Sequence, residues 1–278
     1  MELVVRHQTT YLYATPAGQV ALLLRLRPGL LDGQKPLQWS VTVNGAGVEG
    51  FTANAYGDAE AFFALRGAVA EVVIVAAGRV DTQDRHGVVS GFRNEPPQAL
   101  FLRQTALTRP GGATRDLAAA ARGADALSSL HALSNLVRER VAYVPGATSM
   151  GSTAEEALVQ GRGVCQDHAH LFVGAARVLG IPARYVVGYL HALESAEALR
   201  ETHAWAEAWV PGLGWVGFDA TNGLCVTDHY VRLCCGLDAS DAAPVRGSVF
   251  GGTDITIYAD VRIAEGGPDV PEQMQQQQ

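Results

Sequence analysis

Residues 3 to 13 alternate with a period of two: Leu3, Val5, His7, Thr9, Tyr11 and Tyr13 share one face, and Val4, Arg6, Gln8, Thr10 and Leu12 the other. Such alternation predicts a strand with two unlike faces. Ala21 to Leu26 forms a second run, ended by Arg27-Pro28-Gly29. Leu37, Trp39, Val41 and Val43 form a third, closed by Asn44-Gly45, a strong reverse-turn signal. Ala59 to Leu65 and Val69 to Val75 add two more, with Arg66-Gly67 between them. Strands without intervening helices predict an antiparallel, β-sandwich-like domain over residues 1–90.

The period then changes. Asn94-Glu95-Pro96-Pro97 and Arg109-Pro110-Gly111-Gly112 punctuate a connection. Thr114 to Arg122 reads as a short Ala-rich helix. Asp125 to Val141 carries Leu127, Leu130, Leu133, Leu136 and Val137 at helical spacing, with Asp125 as N-cap. Ser152 with Glu155 has capping-box spacing for a third helix, stopped by Gly161. A fourth runs from Cys165 to Leu179, closed by Gly180 and Pro182. Strands follow at 183–190, 203–210 and 214–218, and 254–263 alternates with Ile255, Ile257, Ala259, Val261 and Ile263 on one face. Helices first and strands afterwards predict an α+β core over 91–265, including the strand at 254–263. The Gln-rich end, 266–278, is expected to be a disordered tail.

Composition narrows the function classes. With 21 basic and 28 acidic residues the net charge is −7, which argues against a nucleic-acid partner. No apolar run is long enough to predict a membrane span. The four cysteines stand at 165, 225, 234 and 235, two of them adjacent, a spacing that suits reduced thiols in a cytoplasmic protein better than a disulfide framework. Homo-oligomerisation is left open.

Candidate chemistry begins at Gly161-Arg162-Gly163-Val164-Cys165-Gln166-Asp167, which puts a cysteine in the first turn of a helix. The unpaired N–H groups and partial positive charge there favour a thiolate, and the backbone N–H of Cys165 can donate to an oxyanion. Thr202 to Val210 alternates strictly, so His203, Trp205, Glu207 and Trp209 share a face and Ala204, Ala206 and Ala208 take the other. Trp215 to Asp219 returns antiparallel after Pro211-Gly212-Leu213-Gly214. A four-residue loop would put Asp219 opposite Ala206, on the wrong face. A three- or five-residue loop, or one bulge, puts it on the face of His203, and the two glycines favour that outcome. The other register would leave Glu207 to orient the imidazole.

These motifs together resemble a known family. Gly163-Val164-Cys165-Gln166-Asp167, Gly180-Ile181-Pro182-Ala183-Arg184-Tyr185, His203-Ala204-Trp205-Ala206-Glu207 and Phe218-Asp219-Ala220-Thr221-Asn222-Gly223 resemble, in order, the core of bacterial transglutaminase-like proteins. His7, Thr9, Tyr11, Tyr13 and Leu24-Arg25-Leu26-Arg27-Pro28 resemble the β-rich domain that precedes this core in bacteria. The resemblance implies a papain-like core, with the helix-borne cysteine packed on an antiparallel sheet. It also implies a Cys165–His203–Asp219 triad and acyl transfer from a peptide or glutamine-type amide through a thioester. Water as acceptor gives a peptidase or amidase, and a primary amine gives a transglutaminase. Trp205, Gln166, His168 and Tyr143 are candidate substrate-binding residues, and the expected partner is a protein or peptide substrate. Three positions depart from the family pattern: Ala220 where Pro is common, His168 where an aromatic is common, and Leu237 where Arg is usual. No cofactor is expected. A zinc reading of Cys165, His168, Cys234 and Cys235 lacks paired C-x-x-C spacing. The rival function is a catalytically silent peptide-binding or assembly module.

Overall fold

The computed structural model describes residues 1–191 and 202–266. Its first part is made of β1 (Glu2–Arg27), β2 (Gln34–Val43), β3 (Ala46–Gly47), β4 (Thr52–Ala53) and β5 (Ala59–Thr82). The connection contributes β6 (Val88–Val89), and the helical part holds α1 (Gly112–Ala120), α2 (Ala126–Arg140), β7 (Ala142–Tyr143), α3 (Ala154–Gln160), β8 (Arg162–Gly163) and α4 (Cys165–Val178). The remaining strands are β9 (Ala183–Leu190), β10 (His203–Val210), β11 (Gly214–Asp219), β12 (Leu224–Cys225), β13 (Tyr230–Gly236) and β14 (Val245–Glu265). The fold is α+β with antiparallel main sheets, as the patterns predict.

The runs at 3–13 and 21–26 are one strand, not two, and so are 59–65 and 69–75. Leu3, Val5, His7 and Thr9 are buried in the first half of β1, and Val20, Leu22 and Leu24 in the second. This change from odd to even positions accompanies register shifts against β5 between Leu12 and Gln19. From Leu12 to Gln19 β1 advances seven residues while β5 advances five from Glu71 to Arg66, so the chain stays extended through these irregularities while its pattern changes phase. Gly67 stands opposite this irregularity with φ +99°, which absorbs it without reversing the chain.

The largest departure concerns the C-terminal strand. Residues 254–263, expected with the core, belong to β14, which pairs with β1 from Leu3↔Glu265 to Leu24↔Val245. The first sheet, ordered β14-β1-β5-β2-β3 with β4 on β5, therefore joins both ends of the described chain. Residues 267–278, the expected tail, lie outside the described residues.

The second sheet runs β12-β11-β10-β9-β13, with β6 on β11. Ala206 and Ala208 on β10 lie against Leu171, Phe172 and Ala175 of α4, whose residues 167 to 177 are all buried. Alanines let the helix axis approach the sheet. Asp125 and Ser128 form the reciprocal cap of α2. For α3 the cap lies one residue later than predicted, at Thr153 and Glu156. Glu155 instead accepts from the N–H groups of Gly111, Ala113 and Thr114 at 2.9 to 3.0 Å, capping α1 from a neighbouring helix. One apolar cluster contains Leu3, Val5 and Ile74 together with Tyr189, Val231 and Leu233, so the first sheet packs directly on β9 and β13.

Candidate active site

Gly161 ends α3 in the left-handed region, φ 67°, as its C-cap role requires. The chain then runs through β8 beside β7 and enters α4 at Cys165. A Cβ at Gly163 would lie 2.7 Å from the Asp167 side chain, so only glycine allows this approach. Asp167 Oδ2 accepts from the Val164 N–H at 2.8 Å and from the Thr148 hydroxyl at 2.6 Å. These bonds fix the backbone on which the half-buried Cys165 sits.

Three residues, Pro211-Gly212-Leu213, connect β10 to β11, with Val210 paired to Gly214 and Ala206 to Phe218. The odd loop puts Asp219 opposite Trp205, on the face of His203. The imidazole Nε2 of His203 and Oδ2 of Asp219 are 2.7 Å apart. Asp219 also accepts from the N–H groups of Thr221 and Asn222 at 3.0 and 3.2 Å, from Asn222 Nδ2 at 2.7 Å and from the Tyr230 hydroxyl at 2.7 Å. With Nε2 engaged by Asp219, Nδ1 is the ring nitrogen left over, and Cys165 is near enough to help raise the pKa of the ring.

Burial alone would lower the pKa of His203. The hydrogen bonds to Asp219 and Cys165, and their charges, outweigh it and raise the value to about 10. Asp219 is held below the ordinary carboxylate range: burial opposes this, but His203, Asn222 and Tyr230 prevail. The other three thiols are shifted upward. Burial raises Cys225, raises Cys235 to about 12 and raises Cys234 well above its usual value.

The substrate-binding candidates are not all alike in placement. Gln166 lines a large cleft. Trp205 is 2% exposed, stacked on His203 at 6.3 Å and edge-on to Tyr230 at 5.4 Å, so it supports the imidazole from behind. His168 is buried too, with Nδ1 2.9 Å from the Val164 carbonyl oxygen and Nε2 2.8 Å from that of Val141, tying α4 to the end of α2. Tyr143 on β7 is half exposed and stacks towards His168 at 6.5 Å. The zinc donor set is not assembled: His168 is committed to carbonyls, and the Cys234 thiol donates to the Ala242 carbonyl in the core.

Glu207, the rival partner for His203, is bound elsewhere. It accepts from Arg184 Nε at 2.6 Å and from Arg232 Nε at 3.0 Å, and Arg232 Nη1 reaches Asp58 at 2.6 Å. Sequence reasoning missed this network, and it missed Tyr230 and Asn222 as partners of Asp219. Asn222 had a detectable signal, since an Asp-x-x-Asn turn allows a side-chain bond back to the aspartate.

Residues 115–220 match the family model described as the transglutaminase-like superfamily, and residues 3–81 match that of the bacterial transglutaminase-like N-terminal region. The chain is 31% identical to an uncharacterized protein of Mycobacterium leprae over 274 residues, covering 92% of this chain and 97% of that one. An uncharacterized protein of Mycobacterium tuberculosis is 33% identical over 136 residues, 45% of this chain and 43% of its own length. In fold, the chain resembles a solved structure from Cytophaga hutchinsonii described as a candidate cysteine protease. The TM-score is 0.74 at 23% identity, over 98% of this chain and 92% of that one.

Proposed function

The chain belongs to the transglutaminase-like superfamily, and from that premise we propose that it is a cysteine-nucleophile acyl-transfer enzyme acting on peptide or glutamine-type amides. The observation that carries this reading is the imidazole of His203, held by Asp219 at 2.7 Å, with Cys165 at the start of a buried helix near enough to act on its pKa.

In this mechanism the Cys165 thiolate attacks the amide carbonyl, and the backbone N–H of Cys165 donates to the resulting oxyanion. The C–N bond breaks as the His203 imidazolium protonates the departing nitrogen, leaving a thioester and a neutral ring. Water or a primary amine then gives its proton to His203 and attacks the thioester. The thiolate leaves, and the thiolate–imidazolium pair is restored. Asp219 holds the ring orientation and stabilises its charged form, as in other nucleophile–base–carboxylate triads. Water as acceptor makes the enzyme a peptidase or amidase, and an amine makes it a transglutaminase. Four free cysteines favour a reducing compartment, and among the described residues no helix is long and apolar enough to cross a membrane.

Mass spectrometry after incubation with a peptide mixture and a primary amine tests the reading. Truncated, deamidated or amine-adducted peptides are expected, and none from Cys165→Ala. A small thiol alkylator should label Cys165 faster than Cys225 at neutral pH. No product, together with equal labelling of the two, would replace the enzyme with a silent binding module.

A further inference from the structure

Gln166 and Thr202, neighbours in sequence of the proposed nucleophile and base, both line one cleft of about 740 Å³. Its far wall comes from the first sheet. The paired positions Tyr13↔Ile255, Tyr11↔Ile257 and Thr9↔Ala259 on β1 and β14 form successive rungs along it. Ile255 and Ile257 are 48% and 55% exposed. A contiguous apolar strip of this kind on a sheet face is a common mark of a binding surface.

The chemistry of the lining is selective. Among the described residues no carboxylate lines the cleft, in a chain of net charge −7, and Arg246 is its one fixed cation. Burial lowers His7 to about 4, which leaves it neutral at pH 7, and burial raises the lining tyrosines, which keeps them neutral too. A lysine or glutamate side chain pressed against this wall would lose its water and find almost no opposite charge.

We infer that the β1–β14 wall selects the substrate of this site: an extended peptide whose alternate side chains, flanking the attacked amide, are apolar or aromatic and uncharged. The choice of an extended chain follows from the spacing of the rungs, since side chains on one side of a strand recur every second residue, as those of Ile255 and Ile257 do. The inference builds on the acyl-transfer reading, and it gives the N-terminal sheet and the C-terminal strand a shared task.

The test measures binding to the full-length Cys165→Ala protein by fluorescence anisotropy. Three labelled octapeptides are used, each with a central glutamine flanked by leucine and phenylalanine, by lysines, or by glutamates. The apolar peptide should bind roughly tenfold more tightly than either charged one. Ile257→Glu in the same background should reverse the order of the apolar and lysine peptides, with folding checked by thermal unfolding. Ile255→Glu on the next rung is the second variant. Equal affinities, no binding of any peptide, or both variants leaving the order unchanged would overturn the inference. Wild-type turnover separates the two proposals. Turnover without apolar preference defeats the wall and leaves acyl transfer standing, whereas apolar-selective binding without turnover does the reverse.

Discussion

His203 and Glu207 lie on the same face of β10, four residues apart, both buried and both in charge pairs, yet the two ends of this face are built for opposite purposes. At the His203 end the carboxylate of Asp219 faces an imidazole, a group that can take up and release a proton. At the Glu207 end the carboxylate faces two guanidiniums, which stay protonated at any pH the protein meets. There Arg184 and Arg232 meet Glu207, Asp58 and, at 3.7 Å from Arg184, Glu95, with the Arg184 guanidinium also 4.0 Å from the Trp215 ring centre. Burial is common to both ends, so burial does not make the site. The partner's ability to titrate distinguishes the two ends, and the cleft lined by Thr202 begins one residue from His203.

Substituting each carboxylate by its amide would break or sharpen this contrast most strongly. Asp219→Asn should lower acyl-transfer activity by about 10³-fold or more, because the ring loses its orienting charge. Its stability should fall by only about 2 kcal/mol, the scale of hydrogen bonds to a charged group. Glu207→Gln should cost about 3–5 kcal/mol in urea unfolding, because two buried guanidiniums lose their shared anion. Whatever fraction stays folded should keep its activity per molecule. A folded Glu207→Gln protein with activity as low as Asp219→Asn would erase the distinction.

A pH series separates the ends by sign. The folded pKa of His203, about 10, lies above its ordinary 6.5. Its stabilising contribution is therefore complete below about 6.5 and fades as pH climbs through about 10. Asp219 and Glu207 are both depressed, so their contributions hold above the usual carboxylate range and fade as pH falls through their lowered values. Only the His203 end produces an alkaline loss. The stability gap between wild type and His203→Gln, read from urea midpoints, should narrow steadily from pH 7 to pH 10.5. A gap that stays constant would mean the ring does not carry the extra proton.

The same contrast explains what was legible in the sequence. Cys165, His203 and Asp219 announce themselves because each sits where a local rule is visible: a glycine before a helix start, strict alternation, an odd-length turn. The register that brings Asp219 to His203 was decided by loop parity alone. The network was invisible because its members come from separate places, with Asp58 in a loop of the first sheet and Arg232 on β13. That strand has all seven residues buried, so it shows no alternation to read, and an arginine in its middle argues against a core strand unless its partners are known. The pairing of β14 with β1 was missed for a similar reason. Alternation identifies a strand and its faces, but not which sheet edge it joins from the far end of the chain.

The smallest expected effect belongs to Tyr230, the one β13 residue that reaches the titratable end. Its hydroxyl donates to Asp219 Oδ2, the oxygen that also receives His203 and Asn222. Burial and the nearby Asp219 charge raise the phenol pKa, so it remains a donor throughout the working range. Tyr230→Phe removes one of five bonds to the carboxylate and leaves the ring packed against Trp205. Stability should drop by about 1 kcal/mol and activity by less than about tenfold. The acid limb of the stability curve should also move to higher pH, since Asp219 loses one of the donors that hold its pKa down. A loss of activity as large as that of Asp219→Asn would change the account of this end of the strand. It would make the phenol a fourth working member of the site, with the first sheet acting on the chemistry through Asp58, Arg232 and β13.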